Sequence, residues 1–304
     1  MEDQAEKLRE LMRKRSENSA STAEKVQPVK TWEQKKTRVI TISSGKGGVG
    51  KTNVSVNMAI AYARLGKKVV VMDADLGLAN VNVMLGLVPK YNLYHVMRKQ
   101  KTMKEILEET EYGISIVAGA SGLSKIANLT EDERENFINE LTTLANVDII
   151  IIDTSAGVSK NVLDFIVAAN DAIIITTPEP TAITDAYGIT KIIATEMVNK
   201  AGLGIGLKLV VNRVKSAEEA KKVAERMISI AGQFLNLKIE YLGFIYDDSV
   251  VSQAVLRTKP FTVIDPKSKA SLCVQHLVER MDKTEVRHES GGFAVMMKRF
   301  FNRT

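Results

Sequence analysis

Residues 45–52 read Gly45-Lys46-Gly47-Gly48-Val49-Gly50-Lys51-Thr52. In the general phosphate-loop pattern, two glycines bracket four residues and are followed by Lys and then Ser or Thr. The backbone N–H groups of such a loop close around phosphate oxygens, and only a glycine-rich backbone can curl that tightly. The stretch therefore predicts a nucleotide site, in which Lys51 neutralises phosphate charge and the Thr52 hydroxyl ligates Mg²⁺.

The sequence on either side of the loop supplies the setting that the motif requires. A short β-branched strand is predicted at Arg38–Ser43, and a helix rich in Ala, Val, Ile and Met at Thr52–Leu65. The order strand, loop, helix brings the partial positive charge of a helix N-terminus to the phosphates. The alternative is a glycine-rich turn that binds nothing, but the filled consensus positions and the flanks favour a phosphate loop.

Lys46 adds a second lysine, at the second position of the loop. With this residue the chain resembles the family of MinD, ParA and the nitrogenase iron protein, which carry this deviant form of the Walker A loop. The resemblance implies that Lys46 reaches across a nucleotide-sandwiched dimer to the partner's phosphates. ATP then forms part of an ATP-dependent homodimer, and hydrolysis acts as a dissociation switch. The alternative is a solvated lysine beside the loop.

The order of elements predicts one α/β domain over residues 38–284. Further strands are predicted at Lys68–Met72, Ile114–Val117, Asp148–Ile152, Ala172–Thr176, Lys208–Asn212 and Glu240–Ile245. Helical patterns lie between them at Glu131–Leu144, Asn161–Ala169, Ile183–Val198 and Ala217–Leu235. Such alternation predicts a doubly wound, mostly parallel sheet, with the apolar runs Ile149–Ile152 and Ile173–Ile175 as central strands. The resemblance implies the P-loop NTPase fold of the MinD-like SIMIBI class.

Composition limits the class of protein further. The chain has 304 residues, of which 45% are hydrophobic, and its apolar runs are shorter than a bilayer requires. A single cysteine, Cys273, argues against a disulfide framework and against the iron–sulfur reductases of the family, and we expect it to be buried in a helix. The polar, acidic amino terminus predicts a cytoplasmic protein. The net charge of +6 comes from basic clusters near both ends. Such clusters could bind nucleic acid or anionic lipid, and composition alone does not distinguish the two.

Other strand ends are expected to converge on the phosphates, because ligands of open α/β sheets lie at the carboxyl ends of the strands. Val69–Gly77 is a strand that ends in two aspartates. The resemblance implies that Asp75 lies near the γ-phosphate and Mg²⁺, where it positions or activates the attacking water. A helix N-cap is the alternative for Asp75 and the favoured role for Asp73.

Ile149–Gly157 is an apolar strand that ends in an acid, the Walker B pattern. Asp153 is expected to hold Mg²⁺ through water, because Mg²⁺ keeps several waters and takes few carboxylates. Ser155 stands where many family members carry proline. We expect this change to alter the stiffness of the loop more than its affinity for metal, since proline would fix φ there.

Two segments are candidates for the adenine base. Val210–Arg213 ends a strand with Asn212, the amide that the family uses on adenine, and Arg213 follows it. An amide offers a donor and an acceptor, which suits the N6 and N1 edge. Asp248 aligns with a Pro-x-Asp turn that flanks the base in the family, although Tyr246 replaces the proline.

The segment Thr177–Thr181 is rich in proline and threonine and precedes a long helical pattern. We expect a structural turn and helix start there, at an edge that could join a dimer interface.

The last residues form a separate amphipathic segment, 291–304, which begins at the hinge Gly291-Gly292. Apolar residues at helical spacing oppose Lys298 and Arg299, and they are Phe293, Met296, Met297, Phe300 and Phe301. This pattern suits an interfacial helix on an anionic membrane, and a helix docked on its own domain is the alternative. Two such helices in one dimer would bind with avidity, so that membrane attachment reports the ATP-bound state.

At the amino terminus, residues 1–15 have a brief helical pattern, and residues 16–37 have a linker composition that cannot pack a core. A solvent-exposed tail is the default for such a segment. Yet the motif Asp-Gln-Ala-x-x-Leu-Arg resembles the activator of the MinD-like flagellar-number regulators called FlhG, FleN or YlxH. The resemblance implies stimulation of the signal-recognition-type GTPase FlhF by Asp3, Gln4, Ala5, Leu8 and Arg9.

The sequence as a whole predicts a Mg²⁺-dependent ATPase that binds the inner face of the membrane reversibly. Catalysis would be mainly positioning and charge neutralisation by Lys46, Lys51, Mg²⁺ and Asp75. Flagellar C-ring proteins are possible further partners, and nucleic acid is not expected. The alternatives are a division-site MinD, a partition ATPase that binds nucleic acid, and a scaffold that senses nucleotide without hydrolysing it.

Overall fold

The structure is a computed structural model that describes residues 37–75, 80–119, 130–199 and 205–284. The predicted activator segment 1–15, the linker up to residue 36 and the amphipathic segment 291–304 lie outside these ranges.

Strands and helices alternate along most of the described chain. The strands are β1 Arg38–Ser44, β2 Val69–Ala74, β3 Leu107–Glu109, β4 Ser115–Val117, β5 Ile149–Ala156, β6 Asp171–Thr176, β7 Gly206–Val214 and β8 Glu240–Tyr246. The helices are α1 Lys51–Arg64, α2 Asn80–Met84, α3 Leu93–Met97, α4 Met103–Ile106, α5 Glu131–Thr142, α6 Lys160–Ala168, α7 Pro180–Asn199, α8 Ala217–Leu235, α9 Ser249–Leu256, α10 Phe261–Ile264 and α11 Lys269–Lys283. All seven strands and all five long helices expected from the sequence are present.

Within the described ranges the strands form one sheet in the order β3-β4-β2-β5-β1-β6-β7-β8. β3 and β4 pair antiparallel, and every other pair is parallel. β1 lies between β5 and β6, so the phosphate loop leaves from the centre of the sheet. The predicted doubly wound, mostly parallel sheet is confirmed.

Apolar side chains cover both faces of the central strands. Along β5, Ile149 and Ile151 pack in the cluster that contains helix α1, whereas Ile150 and Ile152 pack on the opposite face, with α3 and α5. On β6, Ile173 and Ile174 likewise point to opposite clusters. A strand buried on both faces needs an apolar residue at every position, which explains the isoleucine runs.

Helix α1 is held in the middle of one apolar layer. Residues 54–62 are all buried, as expected for a helix with small and apolar side chains on every side. The buried Asn57 fixes its orientation, because the side-chain Oδ1 of Asn57 accepts hydrogen bonds from the backbone nitrogen and the hydroxyl of Thr262. Cys273 is buried in α11, as its helical pattern predicts.

Charged residues tie together the amino-terminal ends of several strands. Arg38, at the start of β1, forms a 2.7 Å salt bridge with Asp171 at the start of β6. The Arg38 guanidinium also donates to the Met281 carbonyl oxygen at 2.6 Å and to the Thr284 hydroxyl at 3.0 Å. Lys208 of β7 lies 3.8 Å from the Asp171 carboxylate and joins it to the network. This edge of the sheet is therefore fixed to the end of α11.

No helix within the described ranges is both long enough and apolar enough to cross a membrane.

Candidate nucleotide-binding site

The phosphate loop connects β1 to α1 and is shaped by glycines at two kinds of position. Gly48 and Gly50 have φ of 77° and 96°, a backbone conformation that favours glycine. Gly45 is needed for a different reason: a Cβ there would lie 2.8 Å from the Ala186 backbone nitrogen and closer still to the Asp185 carbonyl oxygen. Val49 is buried and anchors the loop in the core. The loop is thus packed directly against helix α7.

Thr52 and Asp153 meet below the loop, as expected from the sequence. The Thr52 hydroxyl donates a 2.7 Å hydrogen bond to Asp153 Oδ2, and the Ser55 hydroxyl donates to Asp153 Oδ1 at 2.9 Å. Burial raises the pKa of Asp153 from 3.8 to about 7, although both hydroxyls oppose that shift. Sequence reasoning missed Ser55, whose signal was its position one helical turn after Thr52.

Lys51 lies beside two of the predicted carboxylates. Burial lowers the pKa of Lys51, whereas the charges of Asp153 and Asp75 raise it. The predicted lysine and the two predicted acids are therefore close enough to interact electrostatically. The half-buried ammonium places positive charge beside the loop, which suits the binding of an anion such as phosphate.

Asp73 and Asp75 follow β2 and have different roles in the structure. The Asp73 carboxylate is buried and accepts hydrogen bonds from the backbone nitrogens of Asp75 at 2.9 Å and Val81 at 3.0 Å. It therefore supports the start of α2, in line with the structural role expected for it. Burial raises the pKa of Asp73 from 3.8 to about 6. Asp75 is less buried, and one carboxylate oxygen accepts from the Asn80 side-chain amide at 3.2 Å.

Lys46 is held within its own chain by the segment that opens α7. Its ammonium donates to the Thr181 hydroxyl at 2.9 Å and lies 3.5 Å from Glu179 Oε2. The Lys46 and Glu179 side chains are 40% and 57% exposed, so this pair is solvated. Thr177–Thr181 forms the predicted turn and helix start, since α7 begins at Pro180. The contact with Lys46 was not foreseen, because it depends on how α7 packs against the loop.

The candidates for base binding lie at the ends of β7 and β8. Asn212 is buried, and its amide nitrogen donates to the Val49 carbonyl oxygen of the loop at 2.7 Å. Arg213 follows it in a left-handed conformation with φ of 58°. Both carboxylate oxygens of Asp248 accept from backbone nitrogens, those of Val250 at 3.1 Å and Ala270 at 3.2 Å. Asp248 therefore caps α9, a role that Asp before a helix signals in sequence. Its contact with a base stays a prediction.

These side chains can hold a nucleotide with its metal. The Thr52 hydroxyl and the Asp153 carboxylate are hard oxygen donors 2.7 Å apart, which fits Mg²⁺ held largely by water. The loop and the N-terminus of α1 supply N–H groups for phosphates at the carboxyl edge of a parallel sheet. Together the fold and the site define a nucleotide-binding protein of the P-loop class.

Comparisons with known proteins agree with this class. A family model described as an AAA domain matches residues 37–202. The antiactivator FleN of Pseudomonas aeruginosa is 35% identical over 246 residues, which cover 81% of this chain and 86% of FleN. The flagellum site-determining protein YlxH of Helicobacter pylori is 35% identical over 243 residues, covering 79% of this chain and 80% of YlxH.

Among solved structures, the septum site-determining protein MinD of Pyrococcus horikoshii, complexed with Mg-ADP, is similar with a TM-score of 0.64. It is 27% identical, and the match covers 81% of this chain and 96% of that one. The chain therefore belongs to the MinD/ParA family of P-loop ATPases, in the FlhG branch that includes FleN and YlxH. The resemblance first indicated by Lys46 and the loop is confirmed.

Proposed function

We propose that this chain is an ATPase that dimerises on ATP, binds the membrane as a dimer and regulates the number or placement of flagella. The observation that carries the ATPase part is the convergence of Lys51, Thr52 and Asp153 beneath a phosphate loop. The flagellar part is supported by the similarity to FleN and YlxH, whose names describe an antiactivator and a flagellum site-determining protein.

The proposed reaction is phosphoryl transfer from ATP to water. The oxygen of water bonds to the γ-phosphorus, the bond to the β–γ bridging oxygen breaks, ADP and phosphate leave, and the proton lost by water passes to solvent. Thr52 and Asp153 would hold Mg²⁺, which would neutralise negative charge on the phosphates. Lys51 and the loop N–H groups bind the phosphate oxygens, and Asp75 orients the water. The protein contributes positioning and charge neutralisation, which is the larger part of catalysis in this reaction.

Dimerisation would require Lys46 to change partners. In the single chain its ammonium is bound to Thr181 and Glu179, and both must be released before it reaches the phosphates of a second copy. An exposed ion pair contributes only about 0–1 kcal/mol to stability. Breaking the pair of Lys46 with Glu179 would therefore cost less free energy than a contact between the same ammonium and a buried phosphate would contribute. The same lysine would join the two active sites and make the dimer depend on ATP.

The terminal segments would connect this cycle to its partners. Segment 291–304 would place the dimer on the anionic inner face of the membrane, and release would follow hydrolysis. Residues 1–15 would stimulate the GTPase FlhF, with Gln4 offered to its active site.

Deleting residues 1–15 should abolish that stimulation and leave ATP turnover unchanged. If GTP turnover by FlhF is the same with full-length and truncated protein, a MinD-like function without the activator is the better proposal.

Sizing the full chain by light scattering tests the central proposal. We expect a monomer with ADP, a dimer with ATP, and sedimentation with phosphatidylglycerol vesicles only with ATP. Lys46→Ala should abolish the dimer while ADP still binds through Lys51. Lys67→Ala is a matched control, because Lys67 forms a similar 3.5 Å exposed pair with Asp282 away from the loop. A Lys46→Ala variant that dimerises like the control would refute the role across the interface.

A further inference from the structure

The side-chain amide of Asn212 joins the end of β7 to the phosphate loop. Its exposed fraction is 7%, and its nitrogen donates to the Val49 carbonyl oxygen at 2.7 Å. The amide oxygen accepts from the Arg213 backbone nitrogen at 2.9 Å, which fixes the plane of the amide. The bond to Val49 is buried and spans 163 positions of sequence. It therefore links two elements that are far apart in the chain.

The bond is made where the loop passes into helix α1. Val49 is followed by Gly50, whose φ is 96°, and then by Lys51, the first residue of the helix. A Cβ at Gly50 would lie 2.5 Å from the Asn212 amide nitrogen. The amide therefore packs directly against the left-handed turn that aims Lys51 and Thr52 at the phosphate site.

The support behind this amide is a strand paired on both sides. β7 pairs with β6 on one side and with β8 on the other as far as Val211, the residue before Asn212, and residues 207–212 are buried. A side chain on such a strand loses little additional freedom when it bonds to the loop. Asn212 thus holds the exit of the loop in one conformation through a contact within the chain, and a loop fixed in this way is preorganised for a ligand.

A count of donors and acceptors shows what remains for a ligand. A side-chain amide has two N–H donors and an oxygen with two lone pairs. Val49 and Arg213 use one donor and one lone pair. Within the part of the chain that the structure describes, one donor and one lone pair remain, which is the number that an adenine edge requires.

We propose that Asn212 is a positioning residue for the phosphate loop, so that base recognition and phosphate recognition share one amide. This inference rests on the proposed nucleotide site and extends it. If Asn212 positions the loop, its loss should weaken the binding of phosphate ligands that have no base as well as the binding of ATP. Removing the amide leaves the Val49 carbonyl oxygen buried without this donor, and the turn at Gly50 loses the group that packs against it.

The test compares ligands with and without a base on the full chain. Asn212→Ala and Asn212→Leu both remove the amide without adding charge. Because one buried hydrogen bond is lost, we expect affinity for Mg-tripolyphosphate to fall about tenfold, and affinity for Mg-ATP to fall at least as much. In the ligand-free protein, hydrogen exchange in residues 47–54 should become about tenfold faster, while exchange in α11 stays unchanged as an internal reference.

Asn170→Ala is the matched control. Asn170 is a buried amide at the opposite edge of the sheet, where its oxygen accepts from the Val39 backbone nitrogen at 2.8 Å. It should leave exchange in residues 47–54 unchanged. Unaltered loop exchange and unaltered tripolyphosphate affinity in Asn212→Ala would overturn the inference and leave Asn212 as a base contact alone. If the wild type binds neither ligand, the proposed nucleotide site fails, and the exchange measurement still decides the role of Asn212 in the loop.

Discussion

Gly45→Ala should separate the phosphate loop from helix α7. The added Cβ would lie 2.8 Å from the Ala186 nitrogen and nearer still to the Asp185 carbonyl oxygen, all well inside ordinary van der Waals contact. Both neighbours are backbone atoms of a helix, so the clash cannot be relieved by the rotation of a side chain. The loop or the helix must shift, and overpacking of this kind costs about 1–3 kcal/mol.

The shift would fall at the functional centre, because Gly45 precedes Lys46 and α7 carries Thr181, the partner of that lysine. We expect the free energy of unfolding of the ligand-free protein to drop by about 1–3 kcal/mol. Affinity for a non-hydrolysable ATP analogue should fall by at least tenfold, since the loop can no longer close. Urea unfolding and isothermal titration measure the two effects separately.

Gly188→Ala is the control in the same helix, because a Cβ there meets no atom of the described residues within 4 Å. It should leave affinity unchanged and increase stability by up to about 1 kcal/mol, the usual gain for Gly to Ala inside a helix. Equal stability and equal affinity in Gly45→Ala and wild type would refute the argument that this glycine is required by the approach of α7.

Three further substitutions test separate parts of the proposal. Asp75→Ala should trap an ATP-bound dimer, because hydrolysis loses its water-positioning group while the loop stays intact; a variant that is mostly monomeric in ATP by light scattering would contradict this. Burial raises the pKa of Asp153 to about 7, so the ligand-free fold is favoured while that carboxyl is protonated, and its stability should fall as pH rises from about 4 through 7. Asp153→Asn should make this dependence shallower and leave the part contributed by Asp73, whose pKa is also raised; melting temperatures at pH 5.5 and 8 without Mg²⁺ will show the difference, and an equally steep decline in the variant would count against it. Phe300→Glu should abolish ATP-dependent sedimentation with anionic vesicles at unchanged ATP affinity, whereas undiminished sedimentation would favour a helix docked on its own domain.

Local patterns in the sequence were sufficient to predict most strands of the sheet. Ile149–Ile152 is apolar at every position, and only a strand covered on both faces needs that, so its central place could be inferred without a structure. β3 was missed because its three residues, Leu-Glu-Glu, lack both length and alternation. It is a strand only because β4 lies beside it.

The parts of the site that were missed depend on contacts between distant segments. The pairing of Thr52 with Asp153 follows from two motifs that each carry their own pattern. No pattern connects Asn212 to Val49 or Lys46 to Thr181, because each contact is set by how a neighbouring strand or helix packs on the loop. The sequence predicted which residues bind phosphate, and the packing of neighbouring elements determines what holds those residues in place.

The buried charges around Arg38 have a consequence for how a nucleotide could act on the two ends of the chain. The described part begins at Thr37 and ends at Thr284, and both lie at the edge of the sheet away from the phosphate loop. β1 separates that edge from the loop by its 7 residues, which span about 23 Å at 3.3 Å per residue. Arg38 ties this edge together through Asp171 and the end of α11, so a local rearrangement at the phosphates is poorly placed to move it. In the proposed cycle the domain would stay rigid. The segments at its two ends would respond to ATP through dimerisation, and not through a conformational change within one domain.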